Sequence, residues 1–165
     1  MKSPFNPENE LQYKYSQCKM KDGDSDEIGE FYCIYDVYDS GEESIVYLHD
    51  TDIISYYHRP FNADDSYPLM DEMGVKEIAE TFLKNIVSEE RFNTFAYSGM
   101  TMDALGRYAL SYIRYVEGYP TDEVLSVWVD RCGDVSGYNG YNLQKYDSIE
   151  KTISKEKLDV AKKFL

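Results

Sequence analysis

The sequence predicts an α+β fold, with an N-terminal antiparallel sheet and C-terminal helices packed on it. Apolar and polar residues alternate with a period of two within residues 11–58, which indicates about three to four half-buried strands. From residue 75 the apolar residues recur with the helical period instead. The chain of 165 residues shows no internal repeat or linker, so we expect one acidic domain over 1–165, with an irregular lead-in at 1–10.

Four segments carry the strand pattern. The first is 11–18, in which Leu11, Tyr13 and Tyr15 alternate with polar residues. Segments 28–38 and 43–49 flank Asp-Ser-Gly-Glu, a composition typical of a hairpin turn, so they are expected to pair. A further strand is predicted at 53–58, ending before Pro60 because the residue before proline avoids the helical region.

Helices are predicted at 75–90, 101–117, 122–132 and 154–164. The first has apolar residues at i, i+3, i+4 and i+7. The second has Thr101 as N-cap, Asp103 in its first turn and Gly118 after its end. The third segment is ambiguous: Thr121 and Gly133 favour a helix, whereas the sequence VLSVWV favours a strand, and we favour the helix. Residues 133–147 are predicted to form a loop rich in Gly, Asn and Tyr.

The charge is concentrated in residues 22–72. This stretch holds 15 acidic side chains and one basic one, so its net charge of −14 equals that of the whole chain. Such a charge argues against direct nucleic-acid binding and against an anionic membrane surface, because both require lysine and arginine. It favours a basic protein partner. The residues predicted to bind that partner are Asp22, Asp24, Asp26, Glu27, Glu30, Asp36, Asp39, Glu42, Glu43, Asp64, Asp65, Tyr38 and Tyr67.

Three functions are compatible with this pattern. Carboxylates at alternate strand positions lie about 6.6–6.8 Å apart, a step similar to that between phosphates on a DNA strand. The favoured function is therefore an acidic inhibitor that occupies the basic, nucleic-acid-binding surface of a partner such as a nuclease, as DNA-mimic, anti-CRISPR, anti-restriction and immunity proteins do. The alternative is a protein–protein interaction or regulatory module with incidental acidity. The third is a small metal-dependent hydrolase that uses Asp50, Asp52 and a histidine.

No motif completes a catalytic or metal site. Residues 22–26 (DGDSD) have the spacing of the first three EF-hand ligands, but the closing glutamate is replaced by Cys33. Asp50-Thr51-Asp52 resembles the nucleophile motif of haloacid-dehalogenase-type phosphatases, without the βαβ series that this chemistry requires. His49 and His58 are expected to be hydrogen-bonded histidines at sheet ends. We therefore predict no catalytic residue, no metal and no cofactor.

The cysteines predict a compartment. Cys18, Cys33 and Cys132 are odd in number and show no CxxC spacing. No apolar run resembles a signal peptide or a membrane span. The sequence therefore predicts a reduced, cytoplasmic protein with free thiols.

Overall fold

A computed structural model describes residues 1–20 and 31–147. Its elements in chain order are β1 (Gln12–Met20), β2 (Phe31–Asp39), β3 (Ser44–Leu48), β4 (Ile54–His58), α1 (Glu72–Val87), α2 (Glu89–Phe92), β5 (Phe95–Met102), β6 (Tyr108–Val116), β7 (Tyr119–Val129) and β8 (Val135–Tyr141). The predicted N-terminal strands correspond to β1–β4, and the predicted helix at 75–90 corresponds to α1.

All eight strands form one antiparallel sheet in the order β1-β2-β3-β4-β8-β7-β6-β5. The sheet consists of two four-stranded meanders, β1–β4 and β5–β8, joined edge to edge by the pairing of β4 with β8. One register row crosses every strand and supplies much of the core. It runs Tyr13, Tyr38, Ile45, Tyr57, Tyr138, Val127, Leu110, Met100.

Helix α1 covers one face of the sheet, here called the helix face. It begins at Asp71, whose carboxylate accepts a hydrogen bond from the Gly74 amide at 2.8 Å, as an N-cap does. Its apolar stripe, Val75, Ala79 and Leu83, is fully buried against the sheet. The opposite face, here called the open face, carries no helix of the described chain. Within residues 1–20 and 31–147 no helix is long and apolar enough to cross a bilayer.

The predicted irregular lead-in at 1–10 packs against the helix face. The Phe5 ring lies 4.3 Å from that of Tyr57, and Leu11 is buried. The Ser3 hydroxyl accepts hydrogen bonds from the amides of Phe5 and Asn6, which fixes the turn between them. The segment therefore extends the core over the first meander.

The α+β prediction is wrong: the C-terminal half contributes four strands rather than a layer of helices. The predicted helix at 101–117 spans the end of β5, a turn and β6. Asp103 does not begin a helix, since its carboxylate accepts hydrogen bonds from the amides of Leu105 and Arg107 and so closes the hairpin turn. In β6 the buried residues alternate, with Tyr108, Leu110 and Tyr112 on the helix face.

The predicted helix at 122–132 is also wrong, because these residues belong largely to β7. The β-branched and aromatic residues of VLSVWV decide the outcome, with Leu125, Val127 and Val129 buried on one side. The predicted loop at 133–147 contains β8, a central strand of the sheet. Its glycines and asparagine are residue types typical of loops, which is why the sequence predicted a loop here. The helix predicted at 154–164 lies outside the described residues.

A buried ion cluster fastens residues 142–147 to the sheet. Glu123 on β7 is fully buried and accepts hydrogen bonds from Arg91 and Arg114, the latter at 2.7 Å. Asp147 accepts from the same two arginines, at 3.0 and 2.6 Å. Burial raises the pKa of the Asp147 carboxyl, but the hydrogen bonds from Arg91 and Arg114 outweigh it and hold that pKa below its ordinary value. The cluster therefore balances two carboxylates against two guanidinium groups.

A disulfide joins the first two strands, so the prediction of free thiols is wrong for two of the three cysteines. Cys18 on β1 and Cys33 on β2 are direct register partners, and their sulfur atoms are bonded. Only Cys132 is a free thiol. This pairing could not be predicted, because the two cysteines are separated by 15 positions and the strand register decides which residues meet.

We expect the unreduced protein to expose one reactive thiol on unfolding in a thiol-titration assay, and three after reduction. Replacing both Cys18 and Cys33 by serine should lower the free energy of unfolding by about 3 kcal/mol, because the cross-link restricts the unfolded chain. Cys132→Ser serves as the control and should leave the unfolding midpoint in urea nearly unchanged. Three titratable thiols before reduction would contradict the disulfide.

Glu123→Gln should lower the free energy of unfolding by about 3–5 kcal/mol, because it removes the fully buried carboxylate that pairs with Arg91 and with the buried Arg114. Asp122→Asn is the matched control, since the neighbouring Asp122 carboxylate is exposed and pairs with Lys145 at the surface. Equal effects of the two substitutions in urea denaturation would show that the buried cluster has no special part in stability.

Candidate functional site

The residues predicted to bind a partner fall into separate groups. Asp22, Asp24, Asp26, Glu27 and Glu30 lie outside the described residues. The remainder lie at both ends of the first meander and on both of its faces. No described strand carries acidic residues at alternate positions, so the expected phosphate-like row is not found in the described sheet. In β2, for example, Asp36 and Asp39 are three positions apart and point to opposite faces.

Two of the predicted binding residues hold the β2–β3 turn together instead. Asp39 accepts hydrogen bonds from the Gly41 amide at 2.8 Å and from the Ser44 hydroxyl. The Ser44 hydroxyl is the main cause of the lowered pKa of the Asp39 carboxyl. Glu43 is buried, 4% exposed, and accepts a hydrogen bond from the Asn9 side chain at 3.1 Å. Of the acidic residues of this turn, only Glu42 is exposed.

Another group lies in the loop that follows β4. Asp64, Asp65 and Tyr67 are exposed, and Asp64 accepts a hydrogen bond from the Ser66 amide at 2.9 Å. The same loop is tied to the end of β7 by the Asn62 amide, which donates to the buried Asp130 carboxylate at 2.9 Å. These residues are accessible to a partner, but none of them lines the same pocket as Asp36.

Among the described residues, three carboxylates come together in a pocket of about 310 Å³ on the helix face of the first meander. Three carboxylates line it, from Asp36 on β2 and from Asp50 and Asp52 in the β3–β4 turn. The rings of Tyr38 and Tyr47 form its aromatic wall. Met1 and Thr51 complete the lining. We call this the acidic pocket.

Strand register and turn geometry assemble the acidic pocket. Asp36 is the register partner of Tyr47, so the carboxylate and the ring stand side by side on one face. The turn after Leu48 is closed by the Thr51 hydroxyl, which donates to the Leu48 carbonyl at 2.8 Å and accepts from the Ile53 amide at 3.2 Å. Asp50 adopts a left-handed conformation with φ of 56°, which aspartate tolerates better than most residues.

His49 bridges two of the three carboxylates. Its Nδ1 atom lies 2.9 Å from Asp36, and its Nε2 atom lies 3.4 Å from Asp50. The Ser16 hydroxyl also donates to Asp36 and is the main cause of the lowered pKa of this carboxyl, followed by the hydrogen bond with His49. The hydrogen bond with Asp36 in turn raises the pKa of His49. Asp36 is thereby kept ionised and oriented.

The chemistry of the acidic pocket suits an organic cation. The Tyr38 and Tyr47 rings meet edge to face with centroids 5.7 Å apart and present π-electron density beside the carboxylates. Guanidinium and ammonium groups bind both to aromatic faces and to carboxylates, the latter through short charge-assisted hydrogen bonds. The exposed carboxylates of Asp50 and Asp52 are the groups that an incoming cation meets first.

The geometry gives no support to a metal-dependent hydrolase. No group of three or more His, Cys, Asp or Glu within residues 1–20 and 31–147 is placed to hold a metal ion. His49 is engaged by Asp36 and Asp50, and His58 lies at the other end of β4 from the Asp50–Asp52 turn. His49 is a hydrogen-bonded histidine at a sheet end, as the sequence predicts. The His58 ring makes no hydrogen bond with the described residues and lies nearly parallel to the Tyr56 ring instead.

Sequence reasoning did not place three residues that line this pocket among the candidate binding residues. It assigned Asp50 and Asp52 to the hydrolase hypothesis and treated Tyr47 as an ordinary strand residue. The signal in the sequence was the turn Asp50-Thr51-Asp52 directly after a strand. Tyr47 lies two positions before His49, the residue that precedes this turn. Only the pairing of β2 with β3 shows that this turn and Asp36 share one pocket.

We expect His49 to titrate above the ordinary histidine pKa of 6.5 in an NMR titration, and Asp36→Asn to shift its midpoint downward. Because the folded-state pKa is raised, protonated His49 contributes stability that is fully present below the unfolded-state pKa and is lost as pH rises through the folded-state value. The Asp36 contribution has the opposite sign and is lost as pH falls through its lowered pKa. A His49 midpoint unchanged by Asp36→Asn would contradict the pairing.

Comparison with known proteins identifies neither a family nor a function for this chain. No protein-family model, no curated protein and no solved structure matches the chain.

Proposed function

We propose that this protein binds a basic protein partner and receives a lysine or arginine side chain of that partner in the acidic pocket. The observation that carries the proposal is the convergence of Asp36, Asp50 and Asp52 with the Tyr38 and Tyr47 rings around one pocket. A cation entering there exchanges water for carboxylate oxygens and aromatic faces at once.

The partner class follows from the charge. A net charge of −14 repels nucleic acids and attracts proteins that bind them, since such proteins present lysine and arginine for phosphate contacts. Occupation of those basic residues by carboxylates prevents the partner from using them on nucleic acid. The proposed activity is therefore inhibition of a nucleic-acid-binding protein such as a nuclease, which the DNA-mimic, anti-CRISPR, anti-restriction and immunity proteins exemplify as a class.

The other exposed acids support this function through their field. Glu42, Asp64 and Asp65 lie outside the acidic pocket and are exposed. Their charges accelerate the encounter with a basic surface, an effect that salt screens over about 10 Å at 0.1 M. The acidic pocket then provides specificity, and the remaining acidic residues raise the association rate.

The cytoplasmic location stays a prediction. It rests partly on free thiols, and the Cys18–Cys33 disulfide removes that support, because disulfides persist mainly in oxidising compartments. The binding proposal does not depend on the compartment.

Two double variants of equal charge separate binding in the acidic pocket from general attraction. Asp50→Lys with Asp52→Lys reverses two charges at the pocket, and Asp64→Lys with Asp65→Lys reverses two charges elsewhere. The immobilised wild-type protein should capture a basic partner from lysate and release it on addition of salt. The pocket variant should lose this capture, by about tenfold or more in affinity, whereas the loop variant should retain most of it.

Reversal of Glu42 and Glu43 is not a suitable test, because Glu43 is buried and its replacement by lysine would disturb the fold. Equal losses for the pocket and loop variants would show that the overall field, not the acidic pocket, governs binding. Capture of only neutral or acidic proteins, or capture that resists salt, would overturn the proposal in favour of a module whose acidity is incidental.

A further inference from the structure

A second pocket opens on the other side of the sheet and has the opposite electrostatic character. It has a volume of about 240 Å³ and lies where β4, β7 and β8 meet the turn before β6. Its lining residues are Tyr56, Tyr57, His58, Arg59, Arg107, Trp128, Ser136 and Gly137. No carboxylate is among these lining residues, although acidic residues outnumber basic ones by 31 to 17 in the chain. We call it the aromatic pocket.

Register places the aromatic groups of this pocket side by side. Gly137 on β8 pairs with Trp128 on β7 and with His58 on β4, so all three positions share the open face. Tyr56 lies two residues before His58 on the same face, and their rings are nearly parallel, with an interplanar angle of 11°. The result is a set of flat aromatic surfaces presented to solvent from two strands.

Gly137 allows the Trp128 ring to lie close against β8. It is buried in the strand, and a Cβ atom at this position would lie 3.1 Å from Cε3 of Trp128 and 3.6 Å from the Tyr57 carbonyl oxygen. Gly137 has no positive φ that would require glycine. The absence of a side chain is therefore explained by the indole ring of Trp128, which packs directly over the glycine.

Arg107 supplies a positive charge at the rim. Its Nε atom donates to Asp103 at 3.1 Å, while its terminal nitrogens make no hydrogen bond with the described residues. The guanidinium carbon lies 5.3 Å from the centre of the Phe61 ring, which orients the group. Arg59, the other arginine of the lining, is paired through Nη2 with Asp134 at 2.9 Å. Arg59 keeps a further donor in its Nε atom, which is buried and has no hydrogen-bond partner within the described residues, whereas the Arg107 side chain is partly exposed at the rim and can reach a ligand there.

We propose that the aromatic pocket binds a small planar anion, namely an aromatic ring that carries a carboxylate. The ring would stack on the surfaces formed by Trp128, Tyr56 and His58, and the carboxylate would accept hydrogen bonds from the terminal nitrogens of Arg107. A volume of about 240 Å³ limits the ligand to one or two rings. This site is independent of the acidic pocket, with which it shares no lining residue.

The pocket carries its own spectroscopic reporter, because Trp128 is the single tryptophan of the chain. Benzoate, benzamide and benzamidine have nearly the same shape and carry negative, zero and positive charge. Titration of the full-length protein with each probe, followed by tryptophan fluorescence, should show saturable binding of benzoate that is about tenfold tighter than that of benzamide. Benzamidine should bind most weakly, since Arg107 repels it.

Three variants locate the binding. Arg107→Gln should weaken benzoate binding by about tenfold and leave benzamide binding nearly unchanged, because only the anion uses the charge. Gly137→Val should abolish binding of both probes, because its side chain would displace the Trp128 ring on which they stack. Lys76→Gln is the matched control, since it removes one positive charge from α1 on the other side of the sheet and should change benzoate affinity by less than about twofold.

Three outcomes would overturn the proposal. They are equal affinity for the three probes, equal weakening of benzoate by Arg107→Gln and Lys76→Gln, and the absence of any saturable change at Trp128. Circular dichroism of Gly137→Val separates loss of the pocket from loss of the fold. If that variant is unfolded, Arg107→Gln decides the matter, because Arg107 is partly exposed and outside the core.

Discussion

The pairing of β4 with β8 is the contact on which the whole sheet depends, because it alone joins the two meanders edge to edge. Tyr57 and Tyr138 face each other across this junction, and both are buried. The Phe82 ring of α1 packs within 6.1 Å of each of them, so the helix bridges the same seam. Burial raises the pKa of Tyr57 to about 12, which is consistent with a neutral phenol inside the core.

The first half of the fold could be predicted from sequence and the second half could not. In 11–58 the polar and apolar residues alternate clearly because one face is in contact with solvent. In β6 and β7 the alternation is blurred by Arg114 and Glu123, polar residues that are buried because they pair with each other. Thr101, Asp103 and Gly118 imitate helix boundaries but belong to hairpins, since the same residue types suit both.

The charge of the sequence favours a basic partner as a prediction, but it does not indicate which acidic residues are available to meet one. Several acidic residues that look equivalent in the sequence have different roles in the structure: Asp39 and Glu43 stabilise a turn, whereas Asp50 and Asp52 are exposed. Such a division depends on strand register, which a single sequence does not reveal. The aromatic pocket escaped notice for the same reason, because Trp128, Gly137 and His58 are far apart in sequence and meet only through β7–β8 and β4–β8 pairing.

The two-meander arrangement has a kinetic consequence. Within each meander every strand pairs with its neighbour in the chain, so these contacts close short loops at low entropic cost. The Tyr57–Tyr138 register, by contrast, joins residues from opposite halves of the chain. Contacts that are distant in sequence slow folding, so the rate at which this protein reaches its native state should be set by the collision of two largely formed half-sheets.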